Sequence, residues 1–115
     1  MDMEIIQVPL TLAEFKAADE GYFPDMVKGV VDVERSLLAV NADLHSDLEA
    51  LLLENGSKQE SLWGINLYPD LEGEDLVEFD SLINIRPLQG NRSRGVENPD
   101  IQKKIWDVVK KWIMN

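Results

Sequence analysis

Apolar and polar positions along the chain fall into short runs of alternating type. EIIQV (4–8) predicts a brief strand. Thr11 and Glu14 then have the spacing of a capping box, and Leu10 and Phe15 sit where a hydrophobic staple would, so a helix is expected from about residue 12, fading by Gly21. Pro24 disfavours helical geometry at Phe23. Val31 and Val33 alternate with Asp32 and Glu34, and further on Leu38, Val40, Ala42 and Leu44 alternate with Asn41, Asp43 and His45. The polar Glu34-Arg35-Ser36 between them predicts a β-hairpin, with one long bent strand as the alternative.

Ser46 reads as the N-cap of a helix, DLEALLLEN (47–55), that Gly56 ends. LWGINLY (62–68) reads as a strand stopped by Pro69, and DLEGED (70–75) as an acidic turn. LVEFDSLINIR (76–86) alternates with Leu82 as the exception: Val77, Phe79, Ser81, Ile83 and Ile85 on one side, Glu78, Asp80, Asn84 and Arg86 on the other. Asn98 and Pro99 open the last helix, whose buried stripe is Ile101, Ile105, Val108, Val109 and Trp112, with Trp106 and Ile113 at its edge as a candidate dimer contact. The order β-α-ββ-α-ββ-α predicts a single α+β domain over residues 1–115. It should carry a mainly antiparallel sheet of about five strands, with helices packed on one face.

Charge narrows the partners. Twenty-two acids against eleven bases give a net charge of −11, which repels phosphate backbones and argues against nucleic acid. A basic protein partner remains compatible, although the charge chiefly serves solubility. No cysteine is present, so disulfides and thiolate metal sites are excluded. MDMEIIQVPL lacks the features of a signal peptide, and no apolar run approaches a membrane span, so a cytoplasmic protein without a membrane partner is expected.

Two constellations carry candidate chemistry. IRPLQGNRSRG (85–95) holds three of the four arginines, and Arg86, Asn91, Arg92, Ser93 and Arg94 are its candidate ligand-binding residues. Guanidinium groups fork onto carboxylates and phosphates, glycines let backbone N–H groups approach an anion, and the loop leads to a helix N-terminus. The alternative is that these arginines rivet the loop to the protein's own acids. Arg86, on the strand, is expected to be a rivet, and Arg94 a binder. The second constellation is a polar sheet face on which Asp32, Glu34, His45 and Asp80 could supply the oxygen and imidazole ligands of a divalent metal. His45, Asp47 and Glu49 add an H-x-D-x-E run, but HExxH, a P-loop and G-x-S-x-G are all absent, and no cofactor is expected. A non-catalytic binding module, self-associating or binding an acidic ligand, is the leading expectation. A small metal-dependent hydrolase is the alternative.

The runs VVDVE (30–34), LEALLLENGSKQESLWGINLYP (48–69) and EFDSLINIRPLQGNRSRGVENP (78–99) resemble a family of small uncharacterised prokaryotic proteins known only as a domain of unknown function. The resemblance implies a stand-alone domain and brings no activity and no assigned residues.

Overall fold

The computed structural model describes residues 3–19 and 21–114. Strands β1 (Glu4–Ile5) and β2 (Leu10–Thr11) precede helix α1 (Leu12–Ala17). The central hairpin is β3 (Val27–Asp32) and β4 (Leu37–Val40), followed by α2 (His45–Glu54), β5 (Leu62–Leu67), β6 (Val77–Glu78), α3 (Pro99–Trp112) and β7 (Ile113–Met114). β1, β4, β3, β5 and β6 form one antiparallel sheet in that order, so the chain has the expected α+β architecture of five strands and three helices. Strand β2 pairs with β7 in a small parallel ladder that local pattern does not announce.

The hairpin turns where its polar residues predicted. Asp32 Oδ1 accepts from the amides of Glu34 and Arg35, both at 2.9 Å, and Ser36 takes a positive φ of 56°. Helix ends follow their local chemistry as well. At α1 the Thr11 hydroxyl accepts from the Glu14 amide at 3.1 Å and Glu14 returns a bond at 2.9 Å. At α3 Asn98 accepts from the Asp100 and Ile101 amides, with Pro99 in the first turn. At the end of α2 the Gly56 amide donates to Leu53 and the Ser57 amide to Leu52, a Schellman closure that needs the positive φ of Gly56. Ser46 is not the α2 cap, however. The helix begins two residues earlier, at His45, and Leu44 at the cap position makes no side-chain bond.

The sheet is covered on both faces, which corrects the expectation of one. Val31, Leu38, Trp63, Ile65 and Leu67 pack with Phe15 of α1 and Ile105, Val108 and Val109 of α3. On the opposite face Val30, Ala39 and Leu62 pack against Leu48 and Leu52 of α2. Doubly covered strands read as continuous apolar runs, and Val30-Val31, Leu37–Val40 and Leu62-Trp63 are such runs. Ile113 is likewise core, 3 % exposed, so only Trp106 of the two expected edge residues reaches the surface. The C-terminal helix is fastened to the hairpin by Trp112, whose indole N–H donates to the Ser36 carbonyl at 2.7 Å.

The largest departure lies between residues 76 and 86. Only Val77–Glu78 pairs as a strand; Leu82–Asn84 and Pro87–Gln89 are short 3-10 turns. The segment crosses the sheet edge instead of extending it, and it lies so close to β5 that a Cβ on Gly64 would fall 2.5 Å from Ser81 Cβ and 2.6 Å from its Oγ. Gly64→Ala is therefore expected to destabilise the fold by about 1–3 kcal/mol through overpacking. Urea denaturation measures this, and an unchanged midpoint would show that the crossing segment moves aside without cost.

Candidate functional site

Two buried asparagines hold the crossing segment and the arginine loop. Asn84 aligns its side-chain amide with the Gly64 peptide: Oδ1 accepts from the Gly64 amide at 2.8 Å and Nδ2 donates to the Gly64 carbonyl at 2.9 Å. The side chain thus takes the place a neighbouring strand would occupy on β5. Nδ2 also donates to the Arg94 carbonyl at 2.9 Å. Asn91 does the same for the loop itself. Its Nδ2 donates to the carbonyls of Asn84, Ser93 and Gly95, and its Oδ1 accepts from the Glu97 amide at 2.9 Å. Asn91, a candidate ligand contact in the sequence, is structural.

The arginines divide. Arg86 is not paired with Glu78 or Asp80 or any other acid at ion-pair distance among the described residues; its partners are main-chain carbonyls and the Gln89 side chain. Its guanidinium lies 4.3 Å from the Trp63 ring centroid and donates to the carbonyls of Gln59 and Leu62. Burial lowers its proton affinity, from a value so high that the charge persists. The amides of Arg92 and Ser93 form the anion cradle that the glycine-rich loop suggests, but Glu97 Oε2 fills it at 2.8 Å from each. Those bonds, the Arg92 amide first, hold the Glu97 carboxyl below its usual range. Ser93 Oγ accepts from the Gly95 amide at 3.2 Å. The Arg92 side chain is exposed, with no carboxylate at ion-pair distance among the described residues. Arg94 alone turns toward a concavity, where its Nε donates to Asp80 Oδ1 at 2.6 Å.

The four metal candidates do not form one constellation. Asp32 is fully buried and spent on structure, since Oδ2 accepts from Ser57 Oγ at 2.6 Å while Oδ1 holds the hairpin turn. Glu34 accepts from Ser61 at the same end of β3. His45 and Asp80 lie toward the other end, around Ile65 and Asn66, on the order of 13 Å along the strand from the Leu62 that pairs with Asp32. Among the described residues no three His, Asp or Glu side chains are grouped to hold a metal ion.

What does converge is a cavity of about 610 Å³ where α2 stops short of covering the sheet. The first turn of α2 forms one wall, Lys28, Asn66 and Tyr68 the floor, and the crossing segment with Arg94 the other wall. His45 Nε2 lies 2.8 Å from the Ile65 carbonyl, so that nitrogen carries the proton and Nδ1 is bare when the ring is neutral. Burial pulls the His45 pKa below its ordinary value of 6.5 and Lys28 adds to the effect, while the Ile65 carbonyl, the neighbouring Asn66 side chain and the Asp80 charge oppose it. Asn66 Nδ2 donates to Glu78 Oε1 at 2.9 Å, yet its Oδ1 is buried without a partner. The Tyr68 hydroxyl donates to the same Glu78 oxygen at 2.9 Å, and burial and that carboxylate push its pKa up to about 12. Lys28 extends over the Phe23 ring at 5.1 Å. The amides of His45 and Ser46 meet no side-chain cap. The cavity therefore offers cationic groups and free amides beside carboxylates and an orphaned carbonyl. Sequence reasoning placed Arg94, His45 and Asp80 in two separate hypotheses. It missed Lys28 and Tyr68, which share the Asn66 side of the sheet.

A family model described as "Protein of unknown function (DUF5674)" matches residues 4–112, so the chain belongs to that family. No curated protein and no solved structure matches it. No helix among the described residues is long and apolar enough to cross a membrane.

Two outcomes follow from this geometry. Asn84→Asp places an acceptor against the Gly64 and Arg94 carbonyls, and is expected to cost about 3 kcal/mol or more through repulsion and orphaned main-chain groups. Denaturant titration reads the cost; a loss below ~1 kcal/mol would refute the strand-substitute role. The second outcome concerns pH. Because the folded His45 pKa lies below 6.5, the unfolded chain binds the proton first as pH falls. The stability present above pH 6.5 is then lost progressively as the pH drops through the folded value. His45→Gln should flatten this limb, leaving the loss below pH 4.5 to which Glu14 and Glu97 contribute. Urea midpoints between pH 7.5 and 5 test it, and identical slopes in wild type and variant would exclude His45 as the cause.

Proposed function

We propose that this member of a family of unknown function is a non-catalytic binding module, whose ligand site is the cavity at the N-terminus of α2. One observation carries the reading: Arg94, His45, Asn66 and Asp80, drawn from distant parts of the chain, border a single concavity with an unpaired acceptor in its lining. Such convergence of polar groups in a pre-formed pocket is the usual mark of a small-molecule site. The arginine loop contributes Arg94 and not its backbone cradle, which Glu97 occupies.

The chemistry favours a small ligand with an anionic group and a hydrogen-bond donor. A carboxylate or phosphate would meet the uncapped amides of α2 and the Lys28 ammonium. A donor would meet Asn66 Oδ1 or the Glu78 and Asp80 carboxylates. Ser81 in the cavity wall is not placed as a nucleophile, since it is 1 % exposed and its Oγ accepts from the Ile83 amide. A cytosolic location and the lack of a nucleic-acid partner belong to the same reading, and rest on the absence of cysteine and the strong acidic excess.

The test is a thermal-shift panel of inorganic phosphate, dicarboxylates, amino acids and mononucleotides at constant ionic strength. A ligand that binds only the native state at 100 times its Kd adds about 2.7 kcal/mol of stability. At least one member should raise the melting temperature of wild type, and Lys28→Ala and Arg94→Ala should each remove most of the rise. If nothing stabilises the protein, or both variants respond as wild type does, the cavity is not the site.

A further inference from the structure

Helix α3 carries a charge pattern opposite to that of the whole protein. Lys103, Lys104, Lys110 and Lys111 face two aspartates, Asp100 and Asp107, within a chain of net charge −11. The lysines are spaced by one and by seven residues, so they stack on one side of the helix. All four are exposed, and none has a carboxylate at ion-pair distance among the described residues. Beside them lies the acidic turn, with Glu72, Glu74 and Asp75 exposed and equally without a cation at ion-pair distance among the described residues. Between turn and helix runs a groove of about 600 Å³, bordered by Gly73 and Glu74 on one side and Lys103 and Lys110 on the other, with half-buried Trp106 in its lining. Leu71, at the tip of the turn, is 45 % exposed.

We infer that this groove is the interface of a two-fold homodimer, in which the acidic turn of each copy docks on the α3 lysines of the other. An acidic edge and a basic edge flanking one groove make a patch complementary to itself under two-fold rotation, the requirement of an isologous contact. In that arrangement Glu72 and Glu74 of one copy face Lys103 and Lys110 of its partner, and the exposed Leu71 lies against Trp106. Local pairing of opposite charges offsets the repulsion between two chains of like net charge, so the dimer should weaken as salt rises. The dimer leaves the α2 cavity free, because the groove and the cavity share no lining residue.

Analytical ultracentrifugation of the full chain decides it. Wild type should sediment as a dimer of the 13.1 kDa chain at low salt and dissociate on dilution or with added salt. Lys103→Glu/Lys110→Glu and Glu72→Lys/Glu74→Lys should each weaken the dimer by about tenfold or more, with circular dichroism melts unchanged because every altered side chain is exposed. An equimolar mixture of the two variants should dimerise again, since each reversed charge then meets a reversed partner. If either double variant misfolds, Lys103→Glu and Glu72→Lys serve in the same scheme. A monomeric wild type, dimers indifferent to both reversals, or a mixture no stronger than its components would each overturn the interface.

Discussion

The pairing of one side-chain amide with one peptide governs how this protein closes its sheet. β5 is paired along its length with β3, but β6 covers it only opposite Asn66 and Leu67. Toward its start the edge would be open at Gly64, and there Asn84 supplies the donor and acceptor of a missing strand. The substitution works only because Gly64 has no side chain to keep Ser81 away. An edge strand left with unpaired peptide groups invites pairing with another chain, and a buried amide removes that invitation without adding a strand. The same amide fixes Arg94 through its carbonyl, and the Asn84 main-chain carbonyl accepts from Asn91 Nδ2, which orders the loop beyond. The position of Arg94 in the cavity wall is therefore inherited from the sheet edge.

The cavity itself is a by-product of unequal coverage. α3 is fourteen residues long and serves most of one face; α2 is ten residues long and covers the other only as far as His45. Beyond that point Lys28 and Asn66 form the floor of the concavity between the first turn of α2 and the crossing segment. Polar residues in the middle of a sheet are costly unless their groups are met, and the Asn66 amide nitrogen is met twice while its oxygen is not met at all. The arginine loop shares the feature in part: its asparagine amides are met, while the buried Arg86 Nε is not.

Much of the fold was legible because it is written locally. Thr11 with Glu14, Asn98 with Pro99, and Gly56 after α2 determine helix ends through bonds spanning a few residues, and the structure keeps all three. The hairpin turn at Glu34–Ser36 is equally local. The strand read over 76–86 failed because alternation reports which side chains are buried, not whether the backbone has a partner; Ser81 and Ile83 are covered, yet by a crossing loop whose pairing passes through Asn84. The double coverage of the sheet was present in the consecutive valines and leucines of β3 to β5 and was masked by the weight given to Asp32 and His45 as surface residues. Both are buried, one satisfied by a turn and the other by the Ile65 carbonyl. In the arginine loop, charge was visible but its partner was not: Glu97 lies only a few residues from the amides it fills, whereas Asp80 reaches Arg94 from fourteen residues away.

The small β2–β7 ladder has a consequence for how the chain matures. Leu10 pairs with Ile113, so Leu10 cannot find its neighbour until Ile113 has left the ribosome. The buried residues of the layer formed by α2 all come from Val30 to Leu62, with Ile5 and Ile83 packing at its margin, so its centre can assemble on the nascent chain before α3 is made. The layer formed by α3 cannot, and until it arrives Val31, Leu38, Trp63 and Ile65 stand uncovered. Half of the sheet is thus sticky during synthesis, the state in which aggregation-prone intermediates accumulate and chaperones act. The net charge of −11 works against such association, since charge of one sign keeps chains apart in solution.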